Sequence, residues 1–344
     1  MSSVELTLSL ALIIGLVYGI VAQISGFCLN SALRHQITQG NGNKLRAFML
    51  ALLIATIGTQ AAQAAGLIDL SSSIYQASNV SWLLIGVGSV LFGFGMLRAR
   101  GCGARALVLL GQGNLRSLVV LLCLGVSAFM TLTGVLGPLR NSINDMTTID
   151  VSSFTFSSDT TRWLFVGLVA VAMLYFIGHD KRFRQSKADL IAGIVIGLLI
   201  ISGWLTTGWL GFDEFEPTPV TSMTFVAPVG STIQYAMIAT GMNLSFGIVT
   251  VLAVIIGAFI AAKLTGQFKL SGFDRDTDMP RYIIGAICMG VGGALAMGCS
   301  IGQGLTGVST LSVTSVYALL GICAGGWLAL RVEASSLATA EPVK

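Results

Sequence analysis

The sequence predicts an all-α polytopic membrane protein. Of its 344 residues, 54% are hydrophobic and only 10% are charged, and the mean hydropathy is +0.85. Soluble domains carry about 25% charged residues, so this composition is wrong for a chain whose surface faces water. The apolar residues also fall in runs of about 20, the length that an α-helix needs to cross a hydrocarbon layer about 30 Å thick.

Apolar windows predict about nine transmembrane helices. In chain order they lie near 5–25, 46–67, 81–97, 117–136, 162–178, 189–207, 245–263, 281–297 and 312–331. Shorter, glycine-interrupted apolar pieces lie near 27–37, 103–111, 219–240 and 300–310. These pieces are too short to cross, so we predict re-entrant or partial helices there.

Lysine and arginine are concentrated in alternate loops. With the N-terminus outside and nine helices threaded through the membrane, only Arg140 and Arg162 of the 19 basic residues fall outside. Because basic residues collect in cytoplasmic loops, the pattern predicts an outer N-terminus and a cytoplasmic C-terminus. The last residues, 332–344, are interpreted as a short disordered cytoplasmic tail.

A glycine nine residues before a cysteine occurs three times in the chain. The pairs are Gly19 with Cys28, Gly93 with Cys102, and Gly290 with Cys299. In a fainter fourth copy, Thr206 stands where the cysteine would be. Cys102 and Cys299 lie 197 residues apart, and this spacing indicates a two-fold internal repeat.

The number of spans predicts that the two repeats are inverted relative to each other. The first group of four spans starts from the outside, and the second group, spans six to nine, starts from the inside. Span five connects the two groups. We therefore expect a first half at 1–136, a connector at 137–186, a second half at 187–331 and the tail at 332–344. An inverted repeat brings equivalent half-helices to one central site from opposite faces.

The stretch from Met297 to Gly307 indicates a pathway rather than a scaffold. Glycine weakens a helix by about 1 kcal/mol relative to alanine, and broken backbone at membrane depth persists only where it is buried or lines a cavity. A neutral thiol is a weak donor and a polarizable acceptor, so it suits a soft anion that must also be released. Half-helix N-termini add attraction for anions. The candidate substrate-binding residues are Cys28, Gly101, Cys102, Arg105, Gly298, Cys299, Ser300 and Gln303.

Several other residues have a structural explanation that does not involve the pathway. Arg105 either faces the pathway or extends to the cytoplasmic surface. A second group of glycines has the spacing that packs membrane helices: Gly15, Gly19, Gly193 and Gly197. Three further cysteines lack a glycine-rich setting and are assigned to packing: Cys123, Cys288 and Cys323.

Other function classes find little support in the sequence. There is no phosphate-binding G-x-x-x-x-G-K-[ST] motif and no Cys/His metal spacing, so we predict no ATP hydrolysis, cofactor, metal site or nucleic-acid partner. We favour a transporter over an enzyme. The alternative is a membrane sulfurtransferase or thiol redox protein that uses Cys102 as a covalent sulfur acceptor, because Arg100 and Arg105 would lower the pKa of a nearby thiol.

Three motifs carry a resemblance to a known family. Gly26-Phe27-Cys28-Leu29, Gly101-Cys102-Gly103 and Gly298-Cys299-Ser300-Ile301-Gly302-Gln303-Gly304 resemble the cysteine motifs of the YeeE/YedE family of sulfur-compound transporters, in the same order and over essentially the whole chain. The resemblance implies thiosulfate uptake across the bacterial inner membrane by an hourglass-shaped protein. It also implies that Cys28, Cys102 and Cys299 relay the ion by S–H···S hydrogen bonds.

The resemblance further implies a small cytoplasmic sulfur-carrier protein as a partner. The second motif departs from the family pattern, since Arg100 and Arg105 flank it where small residues are expected. A related sulfur or selenium species therefore stays open as the substrate.

Overall fold

The computed structural model describes residues 2–151, 159–211, 219–272 and 279–340, with side chains described as far as Ser335 at the C-terminal end. The first helices in chain order are α1 (Ser3–Ser25), α2 (Leu29–Gln39), α3 (Asn43–Ala64), α4 (Trp82–Arg98), α5 (Gly103–Gly111) and α6 (Leu115–Leu132). The predicted connector contains α7 (Gly137–Thr147), α8 (Asp159–Gly178) and α9 (Lys181–Gln185). The helices that follow are α10 (Lys187–Leu205), α11 (Val226–Ile238), α12 (Phe246–Leu264), α13 (Met279–Leu295) and α14 (Val313–Ala340).

The remaining regular structure is short. One two-stranded antiparallel sheet pairs β1 (Asn79–Ser81) with β2 (Thr148–Asp150). Single turns of 3₁₀-helix occupy Leu70–Ser72, Ile74–Gln76 and Ala239–Gly241. Segments of π-helix occupy Thr206–Leu210 and Gly302–Gly307.

The all-α membrane fold predicted from the sequence is confirmed. Eight helical segments among the described residues are long and apolar enough to cross a membrane. The remaining predicted span, near 281–297, is α13, which has 17 residues. Its counterpart in the first half, α4, is also 17 residues long, and α5 follows it after a break. The predicted partial helices are present as α2, α5, α11 and the π-helix Gly302–Gly307.

Glycines allow the long helices to approach closely, as the small-residue spacing predicted. A Cβ on Gly15 of α1 would lie 2.6 Å from the Ala253 Cβ of α12, and a Cβ on Gly193 of α10 would lie 2.8 Å from the Ala47 carbonyl oxygen of α3. Gly19 and Gly197 contact the same two partner helices one turn further along. Larger side chains at these positions would force the helices apart.

The helix contacts stay the same when the two halves are exchanged. The pair α1–α12 corresponds to α10–α3, and the pair α4–α14 corresponds to α13–α6. Between α4 and α13, a Cβ on Gly88 would lie 2.8 Å from the Gly292 carbonyl oxygen, and a Cβ on Gly285 would lie 2.9 Å from the Gly95 carbonyl oxygen. Such exchange symmetry is what an internal repeat requires.

Two segments differ from the sequence prediction. The span predicted near 117–136 ends earlier, because α6 stops at Leu132, and α7 begins at Gly137 with Pro138 in its first turn, a position that favours helix initiation. The predicted disordered tail is wrong as far as Ala340, because α14 continues to that residue. Glu333 explains the continuation, since its carboxylate lies 3.0 Å from the Arg34 guanidinium and 2.9 Å from that of Arg281.

Candidate functional site

Each of the three motif cysteines follows a sharp break in the chain. The residue two positions before each cysteine has a left-handed backbone conformation: φ is 65° at Gly26, 58° at Arg100 and 58° at Met297. Glycine adopts this conformation freely, whereas other residues pay about 1 kcal/mol or more. The surrounding packing must therefore hold the two non-glycine turns, and each turn ends a long helix just before its cysteine.

Each motif cysteine also begins a short helical segment. The Cys28 carbonyl oxygen accepts a hydrogen bond from the Ala32 amide at 3.0 Å, and the Cys102 carbonyl accepts one from Ala106 at 2.9 Å. The Cys299 carbonyl accepts from the Gln303 amide at 2.7 Å. The first amides of a helix have no partner within the helix and carry a partial positive charge. One of them, on Gly302, donates to the Cys299 sulfur at 3.3 Å.

The three thiols are buried inside the protein. Cys28, Cys102 and Cys299 are 4%, 2% and 1% exposed. The Cys28 and Cys102 sulfur atoms lie 3.6 Å apart, within range of an S–H···S hydrogen bond. Tyr18 is close enough to interact electrostatically with all three thiols and with Arg105. Its ring packs against Phe225 with 5.3 Å between centroids. Tyr18 therefore marks a common centre for the three thiols.

Arg105 lies near the thiols and also holds the end of α1. Its guanidinium donates to the Ala22 carbonyl oxygen at 3.1 Å. Lys44 donates to the Ser25 carbonyl oxygen in the same last turn and forms a 2.7 Å ion pair with Asp189. Cations at a helix C-terminus satisfy the last carbonyls and offset the helix dipole. These contacts therefore fix the backbone that leads into Cys28.

The polar residues around Cys299 are buried and incompletely bonded. The Ser300 hydroxyl lies within hydrogen-bonding reach of the Cys102 thiol. The Gln303 side-chain amide donates to the Ala296 carbonyl oxygen at 2.6 Å, and its side-chain carbonyl oxygen is left without a partner in the described part of the chain. An unsatisfied buried polar group costs about 1–3 kcal/mol, so this carbonyl oxygen is available to a ligand or water.

The two motif glycines leave room beside these groups. A Cβ on Gly298 would lie 3.1 Å from the Gln303 Cγ, and one on Gly101 would lie 3.4 Å from the Arg105 Cβ. The first distance is tighter than an ordinary contact, so a side chain at position 298 would displace Gln303.

Other residues highlighted by the sequence lie elsewhere. The remaining cysteines are free and half-buried: Cys123, Cys288 and Cys323. Thr206 does not follow a helix break, because the π-helix Thr206–Leu210 continues directly from α10. Its hydroxyl donates to the Ser202 carbonyl oxygen at 2.7 Å. The fourth copy of the repeat therefore lacks the broken-helix geometry of the other three.

Sequence reasoning missed two tyrosines. Tyr18 belongs to an unremarkable apolar helix, and Tyr75 to a short turn between α3 and α4. Tyr75 interacts electrostatically with Cys299, and its hydroxyl contacts the Thr224 side chain. The closeness of Tyr18 to Gly19 was the one available signal, since packing glycines mark the buried face of α1.

Long apolar helices that are broken at buried thiols are typical of a multi-pass membrane transport protein. The chain belongs to the Sulphur transport family, whose model matches residues 24–328. This confirms the resemblance to the YeeE/YedE transporters drawn from the three cysteine motifs.

Two curated relatives match over nearly the full length. The chain is 23% identical over 341 residues to the thiosulfate transporter TsuA of Escherichia coli K12, covering 92% of this chain and 93% of that protein. It is 24% identical over 347 residues to the thiosulfate transporter TsuA of Spirochaeta thermophila, covering 92% of this chain and 96% of that protein.

Proposed function

We propose that this protein takes up thiosulfate across the bacterial inner membrane through a central path in which Cys28, Cys102 and Cys299 contact the ion in turn. One observation carries the proposal: three buried thiols each begin a short helix, and two of their sulfur atoms lie 3.6 Å apart. The names of the two relatives support the choice of substrate.

The thiols suit a soft ion that must pass without being retained. Thiosulfate is a dianion with one terminal sulfur and three oxygens. Because Cys28 and Cys102 already contact each other through sulfur, an ion whose terminal sulfur replaces one of them exchanges one weak contact for another. Such an exchange is nearly neutral in free energy, and conduction requires sites weak enough to release the ion.

The oxygens of the ion require different partners. The Ser300 hydroxyl, beside the Cys102 thiol, can donate to one of them, and the amides at the start of each half-helix can donate to others. Arg105 supplies the nearby positive charge, although its hydrogen bond to Ala22 keeps it from closing on the ion. Gly101 and Gly298 leave space for the ion, and Gln303 presents a carbonyl oxygen that can accept from a thiol or from water.

Charge distribution supports the direction of the path. The predicted topology places basic residues such as Arg34, Lys44, Arg98 and Lys187 on one side of the membrane, and we assign that side to the cytoplasm by the positive-inside rule. On this assignment the halves 1–136 and 187–331 are inverted, Cys299 is reached from outside, and Cys28 and Cys102 are reached from inside. A cytoplasmic sulfur-carrier protein would receive the ion at the basic face.

A covalent sulfur acceptor is the second candidate function, and the Cys28–Cys102 contact favours it. The Cys102 thiolate would attack the terminal sulfur of thiosulfate, the bond between the two sulfur atoms of the ion would break, and sulfite would leave with the bonding electron pair. The product is a Cys102 persulfide. Mass spectrometry of protein exposed to thiosulfate separates the candidates, because permeation leaves all thiols unmodified.

Uptake by proteoliposomes tests the relay. We expect Cys102→Ala and Cys299→Ala to abolish uptake of radiolabelled thiosulfate while the proteins stay folded. Cys123→Ala and Cys323→Ala are matched controls, since they remove half-buried thiols that belong to none of the three motifs and should retain uptake. Normal uptake by both Cys102→Ala and Cys299→Ala would exclude the relay.

A further inference from the structure

A cavity is lined by the C-terminal end of α3, the turns that follow it and the residues that begin α14. Its volume is about 270 Å³, and the residues that matter here are Gln60, Gln63, Tyr75, Gln76, Arg162 and Thr310. A water molecule occupies about 30 Å³ in the liquid, so the cavity has room for a small tetrahedral anion with several waters. We refer to it as the vestibule.

Arg162 supplies the charge of the vestibule. It is the one charged side chain lining the cavity in the part of the chain that the structure describes. The Arg162 side chain is only 15% exposed, and its Nε has no hydrogen-bond partner among those residues. Its ion-pair partner Asp159, at 3.0 Å, is 85% exposed. Water therefore screens the Asp159 carboxylate, and Arg162 keeps both charge and donor capacity for a ligand.

The neutral walls of the vestibule are held in place by the chain itself. Gln60 donates to the Ser309 carbonyl oxygen at 3.0 Å, and Gln76 donates to the Thr310 carbonyl oxygen at 2.7 Å. The Tyr75 hydroxyl, on a residue that is only 3% exposed, contacts the Thr224 side chain. A hydroxyl has one rotatable O–H and two acceptor lone pairs, so Tyr75 can keep this neighbour and still donate to an anion.

Tyr75 separates the vestibule from the Cys299 motif. A Cβ on Gly307 would lie 2.8 Å from the Tyr75 ring, and a Cβ on Gly302 would lie 3.3 Å from its hydroxyl. Both glycines belong to the π-helix that follows Cys299. The ring also packs edge-on against Trp204 with 6.3 Å between centroids. One face of Tyr75 therefore lines the vestibule, and the other contacts the segment begun by Cys299.

We infer that the vestibule is a separate binding site for tetrahedral oxyanion dianions, in which Arg162 binds the oxygens and Tyr75 donates a further hydrogen bond. A charged guanidinium selects for oxygen-borne charge rather than for a soft sulfur. The vestibule therefore binds sulfate as well as thiosulfate, and selection for the terminal sulfur takes place beyond Tyr75. The role of the site in uptake rests on the proposed function, but its anion binding does not.

Calorimetric titration of the purified, detergent-solubilised full-length protein tests the site, with sulfate and thiosulfate as separate probes. Arg162→Gln should weaken binding of both ions about tenfold to a hundredfold, the usual range for a lost charged hydrogen bond. Arg162→Lys, which keeps the charge, should retain part of the affinity, and Tyr75→Phe should weaken binding severalfold. Arg140→Gln is the matched control, because Arg140 is also predicted outside and contacts Asn141 rather than the vestibule.

The outcomes separate this inference from the proposed function. The Cys299→Ala protein should still bind sulfate with wild-type affinity even though its uptake is lost. Equal sulfate affinities in Arg162→Gln, Arg140→Gln and the wild type would overturn the vestibule site. If Arg162→Gln does not elute as folded protein, the sulfate affinities of Arg162→Lys and Tyr75→Phe test the site instead. Wild-type affinity in both variants would also overturn the vestibule site. Normal uptake by the cysteine variants would instead refute the relay and leave vestibule binding intact.

Discussion

Oxidation of the Cys28–Cys102 pair should close the proposed path. The two sulfur atoms lie 3.6 Å apart, and a disulfide bond is about 2.05 Å long, so they need to approach by only about 1.5 Å. Shared between two side chains, this is less than 1 Å each. Each cysteine stands immediately before the first residue of a short helix, and side-chain rotation there supplies such a shift. A disulfide removes both S–H donors and leaves Cys299 as the one remaining relay thiol.

Diamide treatment of reconstituted protein provides the assay. Thiosulfate uptake should fall at least about tenfold, as expected for a loss of 1.4 kcal/mol or more, and should recover after dithiothreitol. Alkylation followed by peptide mass spectrometry should find Cys28 and Cys102 protected and joined. The control protein carries Cys123→Ser, Cys288→Ser and Cys323→Ser, so that it lacks the three half-buried thiols. Its uptake should respond to diamide in the same way.

Either of two results would refute the reasoning. If mass spectrometry finds the Cys28–Cys102 disulfide in nearly all molecules and uptake continues at the untreated rate, neither thiol relays the ion. If diamide inhibits uptake while the pair stays reduced, the inhibition arises elsewhere and the pair is not the sensitive element.

Three further predictions concern the packing that positions the site. Gly88→Val should destabilise the α4–α13 contact by about 1–3 kcal/mol, because even a Cβ there would lie 2.7 Å from the Ala296 backbone nitrogen. Gly167→Val is the control, since the space at its Cβ position is open. Equal melting temperatures of the two variants in detergent would contradict the prediction. Glu333→Gln should weaken the attachment of α14 by about 1 kcal/mol, since the carboxylate is partly exposed, and limited proteolysis should then cleave the C-terminal end of α14 faster than in the wild type. Lys44→Met should destabilise the protein by about 3 kcal/mol because it leaves Asp189 without its ion-pair partner. The double variant with Asp189→Leu should recover part of the thermal stability. If it recovers none, Lys44 acts mainly through its hydrogen bond to the end of α1.

The membrane fold was predictable from the sequence because its signals are local. A run of about 20 apolar residues specifies a crossing helix by itself, and helix-packing glycines are visible in one helix at a time. The spacing of Gly93 from Cys102 and of Gly290 from Cys299 indicated the repeat for the same reason. The family resemblance also rested on short contiguous motifs, which is why it could be drawn before any contact was known.

Other features depend on residues far apart in the chain. The end of α14 is helical because Glu333 meets Arg34 and Arg281, and no local pattern in the tail encodes that meeting. Thr206 matched the repeat by spacing, yet α10 continues through it as π-helix. Spacing alone therefore could not distinguish a broken helix from an unbroken one.

The sequence by itself determined the class of protein, the order of its helices and the cysteines worth testing, because hydropathy and short motifs are properties of neighbouring residues. Only the tertiary structure decided that Cys28 and Cys102 touch across 74 positions of sequence, that Arg105 holds the end of α1, and that Tyr18 and Tyr75 flank the thiols. Those relations arise when separate helices pack, and close packing joins residues whose distance along the chain carries no information about their distance in space.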